Sequence, residues 1–395
     1  MRGYSEDYFS SRRMFNWGDE WHMSFAGCGF RSIYYVGALS CILERVPRLV
    51  CGASTFGGAS SGCLVAAALA VGIPIEKLCF MILITAKEAR KHILGVFHPR
   101  FSLLRVVQRS LLDMLPEDAH LRATGRLCVS LTQLSNGRNV LVSEFASRDE
   151  LVQVLTCSCF FPIYCGFIPP SYRGVLYMDG ALSNNMPLFE HRNTITLAPF
   201  SGESDICPTE GTFNFFEAHY SNVSIQVNTG NVHRVCTSFL PPRLEKLAEI
   251  CHNGYMDALR FLKKQDLLGA ECSPCSLVLS DKFPCCEPAK MEDWKKTKML
   301  LNNGGKRKEH QWLDQRLMEN LPMGIRKVLC EVCRESYNAG SWWSSLTNIL
   351  PVKMQTLLLL PFNISLHLFK RLGRERQTLR GHSRPLQTHT KTCRQ

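Results

Sequence analysis

Several things are scarce in this chain, and each scarcity narrows its class. Met1 to Glu20 is polar and charged and holds no apolar core of the kind a secretory signal needs, so the expected setting is the cytosolic side of the membrane. The strongly apolar segment Leu350 to Phe369 is interrupted by Pro361, Asn363 and His367. A straight membrane span needs about 20 consecutive apolar residues, so a kinked interfacial anchor with a basic flank fits better, the alternative being a helix packed on the main domain. Acids are nearly absent from the end of the chain, where Glu375 alone faces Lys370, Arg371, Arg374, Arg376, Arg380, Arg384, Lys391 and Arg394. Such a tail suits an anionic membrane or nucleic acid, or is simply a solvated end. No histidine completes a zinc-ligand spacing around Cys272-x-x-Cys275 and Cys285-Cys286, so no metal or other cofactor is expected. Cysteine itself is plentiful, at 19 residues, and in a cytosolic setting these read as reduced thiols packed like small hydrophobes.

What is present is globular composition: 395 residues, 45% hydrophobic, 20% charged, net charge +12. That suffices for one large α/β domain with an appendage. Residues 21–25 read as a short strand, followed by Gly27-Cys28-Gly29 and a helical run from Phe30 to Leu43. Ser54-Thr55-Phe56 enters a second turn, and an apolar helix from Gly62 to Val71 leaves it. Apolar residues at three-and-four spacing predict helices over 75–92 and 101–115. Arg126 to Leu134 and Asn139 to Phe145 read as strands joined at Asn136-Gly137 by a type I′ turn. Ser147-Arg148-Asp149-Glu150 reads as a capping box for a helix from Leu151 to Cys157. Strands follow at Val175–Met178 and Thr194–Leu197, and an amphipathic helix spans Leu244 to Leu262. Past residue 265 the pattern degrades, with one further helix expected from Met318 to Cys333. Alternating strands and helices argue for a mainly parallel sheet covered by helices, with ligands bound at the carboxyl ends of the strands.

Two loops at strand ends carry chemistry. Gly58-Ala59-Ser60-Ser61-Gly62 has the Gly-x-Ser-x-Gly pattern between a strand and a helix, the setting of a nucleophile elbow. A serine hydroxyl needs a base, and acyl transfer needs donors aimed at the developing oxyanion. The backbone N–H groups of Gly27, Cys28 and Gly29 can supply the donors at a helix N-terminus. Taken alone, that loop also suits a nucleotide phosphate, but Ser32 stands where a dinucleotide fold has its third glycine, and no acid closes the expected second strand. For the base, Asp179 opens a polar turn, Asp179 to Pro187, after a strand-like run. On its residues alone it reads first as a turn aspartate, while His22, His98, His120 and His191 remain open as partners.

Taken together, these residues resemble the patatin-like phospholipase family. Three of its motifs occur in order: the glycine-rich loop Gly27 to Ser32, Gly-x-Ser-x-Gly at 58–62, and Asp179-Gly180-Ala181. The match runs over residues 20–265. Ser24 to Phe30, Phe97-His98-Pro99, Cys157 to Phe160, Gly166 to Pro170 and Pro199 to Pro208 are similar to the adiponutrin and adipose triglyceride lipase branch. The resemblance implies a three-layer α/β/α domain followed by an irregular, helical C-terminal extension. It implies a Ser–Asp dyad without histidine, in which Ser60 is nucleophile, Asp179 is base and the Gly27, Cys28 and Gly29 amides are the oxyanion hole. The chain departs from the family pattern at Ser32 in place of glycine, at Arg31 and at Ala181.

The domain plan that follows is a polar extension at 1–20, a patatin-like acyl hydrolase domain at 21–265 and an irregular linker at 266–310. A helical and apolar lipid-associating segment at 311–372 and a basic tail at 373–395 complete it. The implied function is a lipid acyl hydrolase or transacylase at a lipid–water interface, with glycerolipid or retinyl ester substrates. Its implied setting is the cytoplasmic face of a lipid droplet or membrane, with a lipase co-activator as a partner and no nucleic acid. The competing expectation is a droplet-binding protein of little activity that sequesters such a co-activator.

Overall fold

The computed structural model describes residues 15–91, 96, 98, 101–189, 193–209, 217–268 and 321–337. Within these the chain order is β1 (Trp21–Phe25), α1 (Ile33–Arg45), α2 (Arg48–Cys51), β2 (Thr55–Gly58), α3 (Ser61–Val71), α4 (Ile75–Arg90) and α5 (Leu103–Met114). Then come α6 (Ala119–Ala123), β3 (Leu127–Gln133), β4 (Asn139–Val142), α7 (Arg148–Ser158), β5 (Ser171–Tyr172), β6 (Val175–Asp179) and β7 (Asn193–Leu197). A hairpin of β8 (Glu217–Tyr220) and β9 (Val223–Gln226) precedes α8 (Thr229–Phe239), α9 (Leu244–Lys264) and α10 (Met323–Tyr337).

The main sheet has the order β5–β6–β3–β2–β1–β7, and β3, β2, β1 and β7 run parallel, so the expected α/β architecture is what the chain forms. The mixed part lies around β3. One edge of β3 carries β4, since Leu131 pairs with Val140 on that side and with Asp179 on the other. Its other edge is shared end to end: β2 pairs with Leu127–Val129, and β6 arrives antiparallel opposite Leu131–Gln133.

Helix α3 is alanine-rich and buried from Gly62 to Val71, which explains why it reads as uniformly apolar rather than amphipathic. Helices α1 and α9 pack closely because Gly37 and Gly254 face each other's backbones; a Cβ on Gly254 would meet the Tyr34 carbonyl oxygen at 2.0 Å. The same seam holds a buried hydrogen bond of 2.8 Å from the Tyr34 hydroxyl to Asp257, which Arg260 neutralises at 2.9 Å.

Some local expectations change. The loop between β3 and β4 is not a type I′ turn, which needs positive φ at both central residues; only Gly137 has it (φ 69), and its N–H closes on the Gln133 carbonyl at 2.8 Å. Ser147 caps α7 by accepting from the Glu150 N–H, while Glu150 reaches back to the N–H of Ala146 rather than of Ser147. The helix expected at Met318 starts at Met323, and it packs on α4 and α9 with Ile325, Leu329 and Val332 buried. Among the described residues eleven cysteines are free thiols as expected, but Cys51, exposed at the end of α2, is disulfide-bonded. The cysteine cluster at 272–286, the apolar segment at 350–369 and the basic tail lie outside the described residues. No helix among the described residues is long and apolar enough to cross a membrane.

Candidate active site

Strand register assembles the site. Phe25 at the end of β1 pairs with Gly58 at the end of β2, so the turns that follow, at Gly27 and Ser60, emerge side by side. Gly58 also lies opposite Val129 of β3, and Asp179 at the end of β6 lies opposite Leu131, two residues further along the same edge. Strands β2 and β6 therefore converge on one point from opposite directions. Residues 60 and 179 meet there because β3 gives both strands the same edge.

Ser60 sits in a backbone conformation, φ 52 and ψ −134, that L-residues rarely adopt. A nucleophile elbow would need a strained turn of this kind, and such strain costs about 1–3 kcal/mol. The flanking glycines are explained by contact. A Cβ on Gly62 would lie 2.3 Å from the Phe25 carbonyl oxygen, and one on Gly58 would lie 2.6 Å from the Gly62 carbonyl carbon. Ser158 holds the turn in place: its hydroxyl accepts the Ser60 N–H at 3.0 Å and donates to the Ser130 carbonyl at 2.8 Å. The strain has a measurable consequence. Ser60→Gly relieves the positive φ at the cost of some chain entropy and is expected to be more stable than Ser60→Ala by about 1 kcal/mol. A thermal melt checks this as a rise of roughly 2–4 °C.

Asp179 is 2% exposed. Burial pushes its carboxyl up from 3.8 to about 7, against the downward pull of hydrogen bonding with the Ser60 hydroxyl and the Ala181 N–H. The latter bond is 2.8 Å and fixes one carboxyl oxygen. Three thiols also line the cavity, and burial keeps them protonated: Cys28 is pushed up to about 11 and Cys165 to about 12, while a hydrogen bond with Cys63 and then burial raise Cys159 well above the ordinary thiol range. Ser60, placed next to a carboxyl near neutrality, is the nucleophile this arrangement favours.

Ser60 and Asp179 open into a cavity of about 630 Å³. Its walls are largely apolar and include Leu64 and Met81, Leu103 and Val107 of α5, and Val235 and Phe239 of α8. That size and character suit one or more acyl chains. None of the described histidines lines it. His22 is buried against the Phe189 ring at 4.7 Å, His98 and His120 lie elsewhere, and His191 is outside the described residues.

Gly27, Cys28 and Gly29 all line the cavity, and Gly29 has a φ of 54. The first two amides are already engaged: the Gly27 N–H donates to Asn185 Oδ1 at 2.8 Å, and the Cys28 N–H to Ser61 Oγ at 3.0 Å. Two side-chain oxygens thus occupy donors that an oxyanion would need. The departures from the family loop have a structural place. Ser32 takes an ordinary right-handed conformation at the start of α1 and lines the cavity, so no glycine is required there. Arg31 is buried and donates to Thr237 Oγ1 at 3.0 Å, tying the loop to α8.

Asn185, Ser158 and Ser61 are participants that motif reading passes over. Each stands inside a stretch singled out for other reasons, and only proximity in space reveals its partner. A family model described as Patatin-like phospholipase matches residues 23–190. Patatin-like phospholipase domain-containing protein 2 of Mus musculus is 41% identical over 354 residues, covering 89% of this chain and 71% of that protein. Human (Homo sapiens) 1-acylglycerol-3-phosphate O-acyltransferase PNPLA3 is 36% identical over 359 residues, covering 86% of this chain and 73% of that protein. Human patatin-like phospholipase domain-containing protein 5 is 42% identical over 247 residues, 62% of this chain and 58% of its own length. Such similarity over most of the chain, on a mainly parallel α/β sheet with the glycine loop, the serine turn and the Asp179 turn at its strand ends, makes this chain a member of the patatin-like phospholipase family.

Proposed function

We propose that the protein is a serine acyl-ester hydrolase working through a Ser60–Asp179 dyad on glycerolipid or retinyl esters at a lipid–water interface. Family membership supports a lipid hydrolase in general. The observation that carries the finer reading is the pairing of Ser60 with a buried Asp179 inside an apolar cavity that no described histidine lines.

In this reading Ser60 Oγ attacks the acyl carbonyl carbon while Asp179 takes its proton. The oxyanion is received by the Gly27, Cys28 and Gly29 N–H groups, with Asn185 Oδ1 and Ser61 Oγ displaced from the first two. The N-terminus of α3, which begins at Ser61, adds positive potential. Collapse breaks the ester bond, and Asp179 returns the proton to the leaving alcohol. Water then releases a fatty acid, or a second lipid alcohol takes the acyl group. The second outcome accords with the acyltransferase name of one relative. The natural setting proposed is the cytoplasmic face of a lipid droplet or membrane, with a protein co-activator as partner.

A base with a pKa of about 7 is active only as carboxylate, so the rate is expected to rise with pH through that value. A kcat/KM profile on a soluble ester checks this: the acid limb falls about tenfold per pH unit below pH 6. The direct test of the proposal is fatty-acid release from a triacylglycerol emulsion and from retinyl ester micelles by purified wild-type and Ser60→Ala protein. Release that depends on Ser60 supports it, and equal release by both proteins refutes it.

A second reading has one observation in its favour. With Gly27 and Cys28 already hydrogen-bonded to side chains, the site is also that of a weakly active lipid-binding protein. Stoichiometric lipid binding without turnover would favour it.

A further inference from the structure

The segment between α7 and β5 is built as a rigid stem with an apolar tip. Its stem belongs to the cavity: Phe161, Tyr164 and Cys165 line it. The Phe161 and Tyr164 rings pack edge-on against Phe239 at 5.5 and 5.4 Å, and the Tyr164 hydroxyl donates to the Phe239 carbonyl at 2.6 Å. Within the stem the Cys165 N–H donates to the Phe161 carbonyl and the Ile163 N–H to the Gly166 carbonyl, both at 2.8 Å. The far side is pinned where the Tyr177 N–H donates to the Pro170 carbonyl at 3.1 Å.

Between these anchors Phe167 is 84% exposed and Ile168 is 87% exposed, more than any other large hydrophobic residue among those described. Pro169 and Pro170 follow and restrict the backbone, so the pair cannot easily fold inward. Holding two large apolar side chains in water forgoes hydrophobic stabilisation, and a braced loop does so where another apolar phase will receive them. Val227 and Val232 also line the cavity and are themselves exposed. The cavity thus has exposed apolar residues in its lining as well as on the loop that helps to wall it.

We propose that Phe167 and Ile168 insert into the acyl-chain layer of a phospholipid-covered lipid surface and hold the cavity opening against it. The loop's continuity with the apolar cavity favours lipid over a protein partner. Its stem is the wall of the cavity itself, so insertion would bring the acyl chains to the opening of the site. Interfacial binding of this kind grows with the apolar area inserted. The inference rests on reading the cavity as a lipid acyl-ester site.

The test uses the full chain carrying Phe167→Asp with Ile168→Asp, and separately Phe167→Trp. On a triolein emulsion coated with phosphatidylcholine, the double variant is expected to lose at least tenfold in rate. On soluble p-nitrophenyl butyrate it stays within twofold of wild type, since neither side chain lines the cavity. On phosphatidylcholine vesicles with brominated acyl chains, Phe167→Trp adds emission that shifts to the blue and is quenched beyond the wild-type background. An unchanged emulsion rate, or an equal loss on both esters, overturns the proposal. If the wild type hydrolyses neither ester, the functional reading fails, and quenching at position 167 alone decides this one. Absence of added quenching there overturns it, including the case in which the tip binds a protein instead.

Discussion

Exchanging Asp179 for Asn is expected to end ester hydrolysis while making the protein more stable than wild type above neutral pH. The two effects share one cause. Burial raises the Asp179 carboxyl from 3.8 to about 7, so the folded protein resists ionising a group that the unfolded chain ionises readily. The sign follows from linkage: the folded-state pKa lies above the unfolded one, so stability is full below about pH 4 and declines as pH rises to about 7. A shift of that size corresponds to roughly 4 kcal/mol at full ionisation, as an order of magnitude. Asn carries no charge and keeps much of the shape, so Asp179→Asn escapes this penalty. Thermal melts at pH 4 and pH 8 read it directly, with little difference at pH 4 and the variant melting higher at pH 8. Activity moves the other way, because removing a general base costs about 10²–10⁴-fold. A variant that is both dead and more stable is hard to explain by a structural role for Asp179.

The other large effect is expected at Ser60. Ser60→Ala removes the atom proposed to form the acyl bond, and loss of a nucleophile costs about 10⁴-fold or more in kcat. The protein stays folded, since Ala at φ 52 bears the same strain as Ser and the Ser60 N–H keeps its bond to Ser158. A neighbouring nucleophile cannot substitute, because burial holds the Cys28 and Cys165 thiols at about 11 and 12, and Cys159 is raised well above the ordinary range. Residual hydrolysis by Ser60→Ala within tenfold of wild type would remove Ser60 from the chemistry.

The parts of this account that are legible in the sequence are the local ones. A glycine on each side of Ser60 marks a tight strand-to-helix turn because the elbow admits no Cβ there. The motif order does the same for the Gly27 loop and Asp179. The pairing of Ser60 with Asp179 is not local: 119 positions of chain separate them, and only the shared edge of β3 brings them together. Residue spacing leaves a histidine open as the base, and family resemblance alone points to the aspartate. The engagement of Gly27 by Asn185 is likewise invisible in sequence, because an asparagine in a polar turn looks like any turn residue. Strands β8 and β9 and helix α8 also escape sequence reading. The hairpin strands are only four residues each, whereas α8 does carry Val232, Val235, Cys236 and Phe239 at helical spacing, and three of these line the cavity. The Asn136-Gly137 turn is read as the wrong type because the dipeptide signals a positive φ without fixing how many residues share it.

Ser60 is proposed as the activated nucleophile and Asp179 as its base. Labelling the full-length protein at pH 8 with a fluorophosphonate, followed by mass spectrometry of the digested peptides, tests both at once. One phosphonylated residue, Ser60, is expected in the wild type, with labelling at least a hundredfold slower in Asp179→Asn. An adduct on another residue, none at all, or an undiminished rate in Asp179→Asn would contradict the proposal.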